Sequence, residues 1–330
     1  MERDFALLLA AVLDAGRCVF GSGYVRLHFE SSRGGFGFLE TCVKQKLLKK
    51  GGDGMRKPQE IITSRQNVLI KQTALLTERK FREREGLFRF DGKKLFLEAL
   101  DAALPLYAVL FRESATQTLL TAAGERELPA DCRSVILPDV LFDRISEEKS
   151  PEGVICLSKR LDKFHKIVTI DKWHAFFKDA VRGQTLLVES VRDPGNLGTI
   201  IRSAAAFGVA RVILSADCAD LYHPRTIRAA MGTLFHTHVW VTEDFCDVIA
   251  ALGREGKVYA AALDESAARL GSLSFGERDA VVIGNEGHGL SRAVLDACTH
   301  KVYIPMAPGV ESLNAGVAAS ILLWEFYRGR

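Results

Sequence analysis

The sequence predicts an α/β protein with two domains, the larger one built on a mostly parallel sheet. Three observations carry this reading. From residue 184 onward, short apolar runs recur at 185–188, 209–214, 258–262, 280–283 and 302–304 without polar alternation. Such runs mark strands buried on both faces, hence parallel. Helical stretches lie between them, over 197–207, 224–231, 244–252, 291–297 and 313–328, and that alternation describes a doubly wound sheet. Gly and Asn also gather where strands should end and helices begin, which is where an open α/β sheet binds its ligand.

The rest of the chain divides by composition. Residues 56–160 read as a smaller α/β domain. Ser64 or Asn67 can cap a helix over 68–85, and a second helix follows at 93–103. Strands are expected at 87–90, 107–111, 134–137 and 154–157, where apolar and β-branched residues cluster. Residues 161–182 are polar and read as a linker between this domain and the larger one at 183–330. Residues 1–55 differ from both, with paired glycines at Gly34-Gly35 and Gly51-Gly52 and a basic run over 44–50. They are expected to be a poorly ordered extension or the product of a misplaced start. The codons for 49–55 can contain GGAGG shortly before an ATG, so Met55 is the expected true start.

Composition narrows the function classes. With 330 residues, 48% hydrophobic and 26% charged, the chain is an ordinary globular protein with room for two cores. The apolar run over 5–13 is too short to span a bilayer. Glu2 and Asp4 stand where a secretory signal would carry positive charge. Seven Cys with no C-x-x-C pair indicate neither a disulfide framework nor a metal site, and reduced thiols in a bacterial cytoplasm are expected. The net charge of +3 is unevenly spread. Residues 56–94 hold eleven Lys/Arg against five Asp/Glu, a net of +6, whereas 183–330 hold thirteen against sixteen, a net of −3. A local basic patch attracts polyanions even on a nearly neutral chain.

Three segments carry chemistry. The first is Asp193-Pro-Gly-Asn-Leu-Gly-Thr-Ile-Ile-Arg202. Its Pro-Gly turn places Asn196 to cap the following helix. Arg202 sits among small apolar residues, where an unpaired charge would be costly. The second is Ile283-Gly-Asn-Glu-Gly-His-Gly-Leu-Ser291. Its glycines let a ligand approach the backbone, and Glu286 puts a carboxylate at the turn, free to pair with Arg202 or face the substrate. The segment has no P-loop lysine, so a neutral or cationic ligand fits better than a phosphate. His288 reads as an ordinary loop residue. The third is Ile304-Pro-Met-Ala-Pro-Gly-Val-Glu-Ser-Leu-Asn314, where Ser312 can cap the last helix.

In this order and spacing the three segments resemble the signature motifs of the SpoU/TrmH class of RNA ribose methyltransferases, in the SPOUT superfamily. The resemblance runs from about residue 184 to the C-terminus. A weaker one covers about 60–158. There Ile62-Thr-Ser-Arg-Gln-Asn67, Arg79-Lys-Phe-Arg82 and Gly86-Leu-Phe-Arg-Phe-Asp-Gly92 resemble the family's substrate-binding domain, of the kink-turn-binding ribosomal-protein type. Asp91 stands where the family usually has Glu.

The resemblance implies a trefoil knot in the C-terminal domain, which periodicity alone could not suggest. It implies methyl transfer from S-adenosylmethionine to a ribose 2′-hydroxyl, with Asn196, Arg202, Glu286, Ser312 and Asn314 around that hydroxyl. The cofactor would lie near Leu263, Gly284, Gly287, Ile304, Met306 and Leu313. Arg202 is the family's proposed base, although a guanidinium stays protonated and more easily polarises the hydroxyl or holds a phosphate. RNA contacts are expected from Arg65, Lys71, Arg79, Lys80, Arg82, Arg225 and Arg228. The helices after the first motif and at the C-terminus would pair in a homodimer. A substrate domain favours ribosomal RNA over transfer RNA. A transfer-RNA enzyme, a resistance methyltransferase and a non-catalytic RNA-binding protein are the alternatives. A dinucleotide-binding reading would need G-x-G-x-x-G after a first strand, and residues 186–215 do not offer it.

Overall fold

Strands β1 (Arg17–Phe20) and β2 (Gly23–Arg26) pair as an antiparallel hairpin. The chain's contacts divide it into Met1–Asp53 and Gly54–Arg330. The computed structural model describes residues 17–20, 23–26, 58, 60–161, 164–167, 183–310 and 312–328. Apart from the hairpin, the expectation of poor order over 1–55 lies outside these residues.

The first part of the larger unit runs β3 (Glu60–Ile61), α1 (Val68–Leu75), α2 (Arg79–Glu85), β4 (Leu87–Asp91), α3 (Lys93–Asp101), β5 (Leu106–Arg112), α4 (Thr116–Ala123), β6 (Arg133–Leu137), α5 (Asp139–Ile145) and β7 (Val154–Lys159). Its sheet has the order β3-β6-β5-β7-β4, with β7 antiparallel to both its neighbours. Asn67 caps α1, its Oδ1 accepting from Leu69 N at 2.8 Å. The single helix expected over 68–85 is two. Leu76, in the break, is fully buried, and the Arg82 guanidinium donates to the carbonyls of Leu76 (2.9 Å) and Thr77 (2.6 Å). The turn is thus held by a side chain rather than by a continuing helical ladder.

All five residues of β4 are buried, including two charges. Alternation on a strand puts Arg89 and Asp91 on one face, and their Nη2–Oδ2 distance is 2.7 Å. Arg89 also donates to the carbonyls of Thr73 and Ile145. A buried pair of this kind is tolerable only because its remaining hydrogen-bonding groups are met.

The second part runs β8 (Phe164–Ile167), β9 (Thr185–Val188), α6 (Pro194–Ala206), β10 (Arg211–Ser215), α7 (Pro224–Ala230), β11 (Val239–Thr242), α8 (Phe245–Gly253), β12 (Val258–Ala261), β13 (Ala268–Arg269), β14 (Ala280–Ile283), α9 (Arg292–Ala297), β15 (His300–Tyr303) and α10 (Ala315–Arg328). Its eight-stranded sheet has the order β13-β15-β12-β14-β9-β10-β11-β8, with every pairing parallel. Strand β9 lies between β10 and β14, so the chain leaves it toward one side and returns on the other. That makes its C-terminal end a switch point.

The expected linker at 161–182 is partly strand, because β8 joins the sheet edge beside β11. One apolar core unites the two parts. It contains Phe88, Phe90 and Phe96 from the first, and Tyr222, Phe235 and Leu186 from the second. Burying each such ring contributes on the order of 2 kcal/mol. A shared interior therefore joins the two parts.

Candidate active site

The first motif leaves β9 and the second leaves β14, and these strands are paired in register from Thr185↔Ala280 to Val188↔Ile283. Their turns therefore meet. Asp193, not Asn196, caps α6: its Oδ1 accepts from Asn196 N at 2.9 Å, and Pro194 occupies the first turn. Asp-Pro is itself a helix-start signal, and it frees the Asn196 side chain. That amide donates through Nδ2 to Glu286 Oε1 at 2.7 Å and accepts at Oδ1 from Asn314 Nδ2 at 2.8 Å. A carboxylate can only accept, so the direction of the chain Asn314→Asn196→Glu286 is fixed by chemistry. No hydrogen bond to Glu286 Oε2 is found among the described residues.

Asn314 reaches this point because α10 packs on α6. Ser203 and Ser320 hydroxyls lie 2.7 Å apart across the pair. Asn314 rather than Ser312 caps α10, its Oδ1 accepting from Gly316 N and Val317 N. Helix α6 is in turn held by α7 at Gly198, where a Cβ would stand 2.4 Å from the Thr226 carbonyl oxygen. Any larger residue there would push the Asn196 turn away from Glu286.

Asn285 was missed by the sequence reading. Its Oδ1 accepts from Gly287 N (2.8 Å) and His288 N (3.3 Å), while Nδ2 donates to the Ser190 carbonyl at 2.7 Å. It shapes the second motif and ties it to the first. An Asn two residues before a Gly is an Asx-turn signal, so the clue was present. Gly284 is required by close approach, since a Cβ would lie 2.4 Å from the Gly289 carbonyl carbon.

Arg202 and Ser312 are not drawn into this network. Both are exposed, and neither has a hydrogen bond or ion pair among the described residues. Glu286 is paired with Asn196 instead of Arg202. The cost expected for an unpaired Arg202 is avoided because its charge faces water.

The expected cofactor residues stand on adjacent loops. Leu263 follows β12, Gly284 and Gly287 follow β14, and Ile304 and Met306 follow β15, three strands that are neighbours in the sheet. Leu313 precedes α10. Leu263 is 61% exposed and Val310 48% exposed, while Ile304, Met306 and Leu313 are half-buried. Apolar side chains left uncovered at strand ends, with a carboxylate nearby, fit an aromatic base and a cationic sulfur. A separate cavity of about 230 Å³ opens at the ends of β9, β10 and β11. It is lined by Glu189, Asp217, Glu243 and Asp244, among others, and by none of the expected cofactor residues.

The expected RNA contacts divide into three groups. Arg65 and Lys71 are exposed. Arg79 pairs with Glu83 at 2.8 Å, Lys80 with Glu78 at 3.1 Å, Arg225 with Asp193 at 3.3 Å and Arg228 with Glu148 at 3.5 Å. These pairs are open to water on at least one side, so the cations can exchange partners. Arg82 is a correction. It is 2% exposed and spends its donors on Asp220, Leu76 and Thr77. No RNA can reach it. The net of +6 over 56–94 thus overstates the surface charge by one, because Arg82 is neutralised inside by Asp220, outside that stretch, whereas the buried Arg89 and Asp91 cancel within it.

Residues 183–324 match the SpoU rRNA Methylase family, and residues 67–156 match the MRM3-like substrate binding domain. The 23S rRNA (guanosine(2553)-2′-O)-methyltransferase RlmP of Bacillus subtilis is 30% identical over 268 residues, covering 80% of this chain and 97% of that protein. A putative RNA methyltransferase of the TrmH family from Porphyromonas gingivalis superposes with a TM-score of 0.64 at 31% identity, over 78% of this chain and 96% of its own. The SpoU methyltransferase AviRb from Streptomyces viridochromogenes, solved with AdoMet, gives 0.63 at 25% identity, over 79% and 98%. The chain belongs to the SpoU rRNA methylase family.

Proposed function

We propose that the chain transfers a methyl group from S-adenosylmethionine to a ribose 2′-hydroxyl of ribosomal RNA. The observation that supports this most is the directed chain Asn314→Asn196→Glu286 at the ends of β9 and β14. It leaves Glu286 Oε2 available to a hydroxyl. The relatives named above agree in class: RlmP is a ribosomal RNA 2′-O-methyltransferase, and AviRb was solved with AdoMet.

S-adenosylmethionine supplies a methyl on a positively charged sulfur, open to in-line displacement. The protein has to orient the hydroxyl and receive its proton. Asn196 and Asn314 fix the direction of the Glu286 carboxylate, and Ser312, exposed two residues before Asn314, is assigned a supporting contact to the ribose. Leu263, Ile304, Met306 and Leu313 offer apolar contact to the cofactor's base, and the loop backbone from Gly284 to the exposed Gly287 offers its polar groups beside it. Arg202 polarises the hydroxyl or holds the adjacent phosphate. A guanidinium stays protonated, so it does not serve as the base.

The protein acts as a homodimer through the exposed faces of α6 and α10. Trp324 and Tyr327 are 49% and 47% exposed and cluster with Phe207 at ring distances of 5.9 Å. A two-fold pairing there would cover these rings together with Arg202. The protein works in the bacterial cytoplasm. Among the described residues no helix is long and apolar enough to cross a membrane.

The test is a map of 2′-O-methyl positions in ribosomal RNA from wild-type and deletion strains, with purified protein restoring the missing mark in vitro. One position should vanish and be restored by wild type but not by Glu286→Gln. Identical maps, with no cofactor-dependent methylation of ribosomal RNA by the pure protein, would overturn the reading.

A further inference from the structure

The segment from Asp220 to Phe235 connects the two parts of the larger unit. On one side it meets the substrate-binding part. Arg82 Nη2 and Nε reach Asp220 Oδ2 at 2.7 and 3.2 Å. Tyr222 packs on Phe88 at 4.8 Å, with the Arg160 guanidinium 4.9 Å above its ring, and also on Phe164 of β8 in the second part at 5.0 Å. Its hydroxyl accepts from Leu161 N at 2.9 Å. Phe235 packs on Phe90 at 5.1 Å. On the other side the segment meets the site. Helix α7 lies against Gly198 of α6 without room for a methyl group, and Arg225 reaches the helix cap Asp193.

Asp220 organises this segment as well as joining it to Arg82. Its Oδ1 accepts from Tyr222 N at 2.9 Å, and its carbonyl accepts from Thr226 Oγ1 at 2.9 Å. One carboxylate therefore sets the start of α7 with one oxygen and grips the substrate-binding part with the other. Arg82 likewise holds the α1–α2 turn while gripping Asp220. Neither residue touches Asn196, Glu286 or Asn314. A shift of one part against the other would have to break this pair and carry α7, and with it the Asn196 turn.

We propose that Arg82 and Asp220 are a positioning pair that fixes the substrate-binding domain at a set distance from the Asn314→Asn196→Glu286 chain, so that the bound RNA presents one particular ribose. The inference rests on the reading of the chain as a ribosomal RNA methyltransferase. The substrate domain is a ruler rather than a mobile arm. Loss of the pair leaves both binding surfaces intact and blurs their separation.

Asp220→Asn tests it with the full chain. The amide keeps an acceptor for Tyr222 N but removes the charge facing Arg82. We expect the melting temperature to fall, with the protein still folded at the assay temperature, because the buried Arg82 charge loses its partner. The cofactor Kd and the KM for ribosomal RNA should stay close to wild type. We expect kcat to fall about tenfold to a hundredfold, as a misplaced acceptor requires, and methylation to spread to neighbouring riboses. Asp220→Glu should recover part of the rate, and Arg82→Lys should behave like Asp220→Asn. Wild-type kcat with a single methylated position in a folded Asp220→Asn protein would overturn the proposal. So would a loss of rate matched by loss of cofactor affinity, which would mean a merely structural role. If the wild type methylates no ribosomal RNA, the parent reading fails. The pair is then judged by hydrogen exchange, and unchanged protection of both 76–86 and 217–230 in Asp220→Asn would overturn it.

Discussion

Helices α2 and α6 each carry an arginine that the sequence reading assigned to function, and the structure treats the two in opposite ways. Helix α2, Arg-Lys-Phe-Arg-Glu-Arg-Glu, is among the most charged segments of the chain, yet it buries Arg82 against Asp220. Helix α6 is small and apolar around Arg202, yet it leaves that arginine exposed and unpaired among the described residues. Local composition therefore predicted the wrong environment both times. What decides burial is the packing of the whole helix. Helix α2 sits where the substrate-binding part meets the segment at Asp220, whereas Arg202 on α6 is exposed and has no hydrogen bond or ion pair among the described residues.

The comparison can be broken most directly by removing each arginine. Arg202→Ala should reduce methyl transfer by about a hundredfold to a thousandfold, the usual effect of losing one preorganised donor. Cofactor affinity and melting temperature should hold, because an exposed side chain leaves no cavity. Near-normal turnover by the pure variant would remove Arg202 from the site. Arg82→Ala should do the reverse and destabilise the fold by about 3 kcal/mol, because it strips a buried pair and frees the Leu76 and Thr77 carbonyls. Urea unfolding measures this, and a shift under about 1 kcal/mol would mean that the pair is solvated.

The methyltransferase sheet was readable because β9 and β14 are continuous apolar runs, and the motifs that follow them announce their turns. The motif residues Asn196 and Glu286 meet because those strands are neighbours, and Asn314 joins them because α10 packs on α6. The motifs gave that fact only by resemblance, since strand order is a long-range property. The cap was misplaced for a different reason. Asn196 and Asp193 are both good caps, and only the start of α6 at Pro194 separates them. The break between α1 and α2 was invisible, because the agent that makes it is a side chain six residues beyond Leu76. Strand β8 was lost in a polar stretch because an edge strand needs one partner, β11, and little hydrophobicity. The joint between the two parts could not be read either, since the reading placed a linker there and the contacts come from residues 138 positions apart.

The exposed faces of α6 and α10 sharpen the contrast further. Trp324→Glu should leave the monomer fold intact, because the ring is half exposed, but it would place a charge in the centre of a pairing surface. Light scattering at micromolar concentration should give twice the chain mass for wild type and the single-chain mass for the variant, with turnover lowered alongside. A monomeric wild type would overturn the pairing of α6 and α10.

The smallest effect expected lies within α2 itself, three residues from Arg82. Arg79 is exposed and pairs with Glu83 one turn along at 2.8 Å. The carboxylate raises the arginine's pKa through its hydrogen bond, which changes nothing near neutral pH because the guanidinium is already charged. Exposed i,i+4 pairs contribute about 0.3–0.5 kcal/mol, so Arg79→Ala should barely move the urea midpoint. Its effect should appear in RNA binding. If Arg79 leaves Glu83 for a phosphate, the variant's plot of log affinity against log salt should flatten by a little under one unit, and Arg82→Lys should leave that slope unchanged. A flatter slope for Arg82→Lys, or none for Arg79→Ala, would show that the RNA path does not follow the outer face of α2.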